Sequence, residues 1–129
     1  MSLRRNMRIV DTNVILRYIL ADDDALSSQA KQIIDGDPFD VPIEVLAEVV
    51  YVLQKVYSVP RNEIAELLQD FARDTEAVLF NENIVLKALD IYSETNMGFV
   101  DCILASCAEV AGAEIHTFDK QLASFIQKS

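Results

Sequence analysis

Arg8-Ile9-Val10-Asp11-Thr12-Asn13-Val14-Ile15-Leu16 is the stretch whose reading decides the fold. The apolar run before Asp11 suits a buried strand, expected over residues 7–10, and the run after Asn13 suits a helix, expected over residues 13–20. An acid therefore sits at the carboxyl end of a strand. Open α/β sheets place their ligand sites at that edge.

Outward from this unit the pattern repeats in kind. Helices are expected over residues 25–34, 43–57, 62–74, 82–94, 99–111 and 120–127, and short strands over 39–41, 77–80 and 114–118. Gly36, Gly98 and Gly112 act as stops, and Pro42 and Pro60 suit helix starts. Short strands alternating with longer helices call for a mainly parallel sheet with helices on both faces. The run Asp22-Asp23-Asp24 is read as a solvated turn capping the next helix rather than as a metal-binding cluster.

At 129 residues the chain is expected to form one domain over residues 1–129, with 1–6 a flexible start outside the fold. It is 51% hydrophobic with three Gly and three Pro, which excludes long disordered tracts. No apolar run approaches the ~20 residues that cross a bilayer, and no signal peptide opens the chain, so a cytoplasmic protein without a membrane partner is expected. Cys102 and Cys107 lie five apart on one helix and face different ways, so they are read as small buried apolar residues. The lone His116, with no cysteine or histidine near it, makes a poor zinc ligand. The net charge of −10 excludes the broad basic surface of a simple nucleic-acid-binding module. It leaves open a metal-dependent nuclease, whose cation supplies the positive charge, and suits a protein partner with a basic segment.

Four acids stand out: Asp11, Glu48, Asp101 and Asp119. Singly, Asp11, Asp101 and Asp119 are also placed to cap helices, and Glu48 to lie on a solvated face. Yet Glu44 and Glu48 form a like-charged i,i+4 pair, and Tyr51 and Val52 beyond Glu48 relieve nothing. Asp101 has apolar helical neighbours in Leu104 and Ala105, where a carboxylate is costly to bury unless paired or coordinating. In a parallel sheet Asp11 and Asp119 should converge at the carboxyl edge, with Asp101 and Glu48 reaching in from helices. Carboxylates so gathered repel one another and take up protons, a conflict that a hard divalent cation resolves. All-oxygen ligation selects Mg²⁺ or Mn²⁺. Thr12, Asn13 and Thr117 lie beside the acids and are placed to orient them by hydrogen bonds. Bound Mg²⁺ activates water against a phosphodiester, so no covalent nucleophile is needed.

Four strings carry a resemblance: Val10 to Tyr18 around Asp11, Glu44 to Val50 around Glu48, Phe99 to Ala105 around Asp101, and His116-Thr117-Phe118-Asp119. In order and spacing they resemble the PIN-domain nucleases, and within them the VapC-type toxins of toxin–antitoxin pairs. The resemblance implies a three-layer α/β/α sandwich, a Mg²⁺ or Mn²⁺ site and endoribonuclease activity. It makes Asp11, Glu48, Asp101 and Asp119 the catalytic, metal-holding acids and matches Thr117 to the family's hydroxyl position. It also implies a homodimer and an antitoxin that laces a helical segment over the site. Arg17 and Lys120 are the candidate contacts to RNA phosphate, with surface charge as their plainer reading.

Two other readings remain at this point. An aspartyl-phosphate phosphatase or receiver also puts acids at strand ends, but the phosphatase pattern wants a second aspartate where this chain has Asn13. A non-catalytic interaction domain would keep the fold and act by binding alone.

Overall fold

The computed structural model describes residues 7–22 and 24–128. The expectation of a flexible start over residues 1–6, and Asp23 of the acidic run, lie outside those residues. The elements follow in the order α1 (Thr12–Leu20), α2 (Asp24–Ile34), β1 (Phe39–Val41), α3 (Ile43–Lys55), α4 (Arg61–Asp74), β2 (Ala77–Leu79), α5 (Glu82–Glu94), α6 (Phe99–Ala111) and α7 (Lys120–Lys128). The expected helices are present to within about two residues at each end. Pro42 and Pro60 stand as N-caps of α3 and α4, in extended conformation. Gly112 ends α6 with φ of 66°, a left-handed turn that glycine adopts without strain.

Strands β1 and β2 pair in parallel, Phe39 opposite Ala77 and Val41 opposite Leu79. Ile9 joins on the other side of β1 through one parallel bridge to Asp40. The architecture is therefore α/β with parallel pairing, though mostly helical. Side chains alternate across this small sheet. Val10, Phe39, Val41 and Leu79 are buried, whereas Ile9, Val78 and Phe80 are exposed. Phe39 meets the ring of Phe71 edge-on at 6.0 Å, and Phe71 meets Tyr18 at 5.8 Å, tying β1 to α4 and α1. Such aromatic pairs add about 0.5–1.5 kcal/mol each beyond area burial. On the open face Met7, Ile9, Val78 and Phe80 line a cavity of about 770 Å³.

Two expected strands differ. Residues 7–10 contribute a single bridge instead of a ladder. Residues 114–118 form no strand at all, and 112–119 has no regular structure. The side-chain alternation is there, with Ile115 and Thr117 half-buried between exposed His116 and Phe118. What is missing is a neighbour. Alternation specifies which side of a strand turns inward, and only an aligned partner turns an extended run into sheet.

Candidate active site

The first acid is positioned by local chemistry. Asp11 is the N-cap of α1, and its carboxylate accepts the backbone N–H of Thr12 at 2.7 Å. Thr12 is buried at 5% exposure, and its hydroxyl cannot stay unpaired there without cost. It donates to the Glu48 carboxylate at 3.0 Å. Helix α1 packs against α3, so the contact joins elements 36 residues apart. One residue thus links two of the four acids: its N–H to Asp11 and its hydroxyl to Glu48. Both carboxylates are solvent-exposed.

Asp101 lies half-buried in the first turn of α6, a helix whose N-cap, Gly98, offers no side chain. An acid there favours the helix dipole. Helix α6 packs against α3, so Asp101 and Glu48 stand on neighbouring helices. Asp119 is exposed just before α7, and its carboxylate accepts the N–H of Leu122 at 2.8 Å as a cap. The Asp119 N–H donates to the Thr117 hydroxyl at 3.0 Å. Thr117 therefore shapes the backbone before the acid, in a purely local turn.

Among the described residues none of the four acids has a cationic partner. The donor set, carboxylate oxygens with no cationic partner among the described residues, suits a hard divalent cation. Its spacing is another matter. Among the described residues no three His, Cys, Asp or Glu side chains gather closely enough to hold a metal ion. The structure links Asp11 with Glu48 and leaves Asp101 and Asp119 apart from any such cluster.

The remaining candidates divide. Asn13 is exposed beside Asp11. Arg17 is engaged by Asp22 at 3.0 Å, so reaching a phosphate would mean leaving that pair. Lys120 is exposed and has no ion pair among the described residues. Asp22 and Asp24 behave as expected of a solvated helix approach, Asp24 opening α2.

Sequence reasoning missed Arg61. Its guanidinium lies 3.6 Å from the centre of the Tyr92 ring and donates to the carbonyls of Tyr92, at 2.8 Å, and Met97. An arginine opening a helix carries no signal of contacts 31 and 36 residues away. Burial pushes the Tyr92 hydroxyl above the usual phenol range.

The PIN domain family model matches residues 8–126. A VapC ribonuclease of Aquifex aeolicus (strain VF5) is 27% identical over 124 residues, covering 89% of each chain. No solved structure matches the chain. No helix among the described residues is long and apolar enough to cross a membrane.

Proposed function

The chain belongs to the PIN domain family, and from that premise we propose that it is a Mg²⁺- or Mn²⁺-dependent endoribonuclease, the toxin of a toxin–antitoxin pair. The observation that carries this is the Thr12 bridge, which ties two carboxylates to one buried residue, neither with a cationic partner among the described residues. The likeness to a VapC ribonuclease over most of both chains supports the substrate class.

In this reading Asp11 and Glu48 are the fixed half of the site, and Asp101 and Asp119 join them. Residues 114–118 have no regular structure, Phe118 is 105% exposed, and among the described residues Ile9 pairs on one side only. Docking of that segment beside residues 7–10 would add a parallel strand, carry Asp119 toward Asp11 and complete a three-layer α/β/α sandwich in a single domain. Thr12 and Thr117 orient the acids, and Asn13 stands beside them. Asp11, Glu48, Asp101 and Asp119 would hold a divalent cation, which would supply an activated water and charge stabilisation for phosphodiester hydrolysis. The account includes a homodimer, a cognate antitoxin and a cytoplasmic setting. The test is cleavage of pooled cellular RNA by the purified, antitoxin-free protein with Mg²⁺ or Mn²⁺, with chelator, and with Asp101→Asn. Discrete products that vanish with chelator and with the variant are expected. Absence of both cleavage and metal binding in the wild type would overturn the proposal.

A further inference from the structure

A groove of about 350 Å³ lies between the second half of α3 and the start of α6. Ala47 and Val100, chain neighbours of Glu48 and Asp101, both line it. Its other walls include Tyr51, Gln54, Lys55, Arg61 and Asn96. Although 21 of the 129 residues are acidic, none lines this groove, and two of its lining residues are cations. Its lining is thus cationic in a chain whose net charge is −10.

We infer that this groove is a nucleotide subsite, in which Tyr51 stacks on a base of single-stranded RNA flanking the cleaved bond and Lys55 meets the neighbouring phosphate. The inference rests on the endoribonuclease reading and deepens it. Glu48, Tyr51 and Lys55 fall at i, i+3 and i+7 on α3, one stripe of the helix. Acid, aromatic ring and cation thus follow one another over about 10 Å of helix axis. A strand whose phosphodiester lies at the acids and runs along α3 meets the ring first and the ammonium next. Tyr51 is 60% exposed, so its ring face is available. Base–aromatic stacking is the general device by which proteins hold single strands.

Two further features fit a polar ligand. Lys55 has no ion pair among the described residues. Tyr92 lines the groove at 1% exposure, and its buried hydroxyl has no hydrogen-bond partner among the described residues. Arg61 stacks on the Tyr92 ring and donates to two carbonyls, which places its charge beside the groove with no carboxylate partner among the described residues. An apolar peptide would leave the Tyr92 hydroxyl and the Lys55 ammonium without a partner.

The test uses the full chain and a short mixed-sequence pool of single-stranded RNA, beside a pool of the same length with abasic riboses. Each is measured as a competitor of cleavage for the wild type, Tyr51→Ala, Tyr51→Phe and Lys55→Ala. Tyr51→Ala should weaken the base-bearing pool roughly five- to hundred-fold, leave the abasic pool unchanged, and be rescued by Tyr51→Phe. Lys55→Ala should weaken both pools and lower the salt dependence by about one counterion. Equal inhibition of wild type and Tyr51→Ala by the base-bearing pool overturns the subsite while the nuclease stands. So does a Tyr51→Ala effect that appears only as dissociation of a dimer in sedimentation, which would assign the groove to a second copy. A wild type that cuts no RNA removes the function and the subsite together.

Discussion

Two threonine–aspartate pairs sit at opposite ends of this chain, and the structure treats them differently. At Asp11-Thr12 the hydroxyl is buried at 5% exposure and reaches a carboxylate on another helix. At Thr117-Phe118-Asp119 the hydroxyl accepts the Asp119 N–H two residues on, beside an exposed ring and an exposed acid. The first pair is held by tertiary packing, the second by a local turn. Similar residue types in similar sequence settings acquire different rigidity according to whether a packed neighbour exists. Helix α3 supplies that neighbour for Thr12, while residues 112–119 have no ladder to lean on among the described residues.

The largest expected effect that sharpens this contrast is on stability. Phe39→Ala removes a ring at 0% exposure that contacts Phe71, and should cost about 3–5 kcal/mol in urea unfolding. Phe118→Ala, at a fully exposed ring, should stay within about 0.5 kcal/mol in metal-free buffer. Similar costs at both positions would break the comparison.

Activity comes next. Glu48→Gln keeps the shape of the side chain and removes its charge. RNA cleavage should fall at least about 100-fold, because even groups that merely orient metal ligands are worth about 10–100-fold. Thr12→Val tests that orienting role alone. Loss of the hydroxyl should weaken Mn²⁺ binding about 10–100-fold in calorimetry, with Thr12→Ser restoring most of it. An unchanged Mn²⁺ affinity in Thr12→Val would reduce the bridge to a packing contact.

The smallest effect concerns the thiols on α6. Burial pushes the Cys102 thiol above its ordinary range, with Thr95 opposing in part. Iodoacetamide at about pH 8 should modify half-buried Cys107 and spare Cys102, as read by peptide mass mapping. The stability tied to the neutral Cys102 thiol is fully present below the ordinary thiol value of about 8.5. It falls as pH rises through the raised value, so thermal unfolding should come earlier above that range. A Tm that rises there would contradict the burial.

Much of the chain was legible because local signals matched local outcomes. Pro42, Pro60 and Gly112 punctuate helices where their backbone chemistry places them. Glu48 was conspicuous for lacking a cation, and what it finds is the Thr12 hydroxyl. The sheet was less legible. Residues 114–118 have the alternation of a strand, yet pairing depends on a partner edge that the alternation does not encode. How the four acids lie relative to one another was less legible for a related reason. Strand ends and helix starts share one edge only when the strands are aligned in one sheet, and here the sheet comprises β1, β2 and the bridge at Ile9. Arg61 and the groove beside it left no trace in the sequence, because stacking on Tyr92 joins helices α4 and α5 through no periodic pattern.

The central claim is that acids from the packed region and from the unpaired segment hold one cation between them. It is tested most directly by titrating Mn²⁺ into the wild type, Asp11→Asn and Asp119→Asn, and following the free ion by electron paramagnetic resonance. The account predicts that the wild type binds Mn²⁺ and that both variants lose affinity by at least about tenfold. Wild-type affinity in Asp119→Asn, beside a loss in Asp11→Asn, would contradict it and leave the segment outside the site.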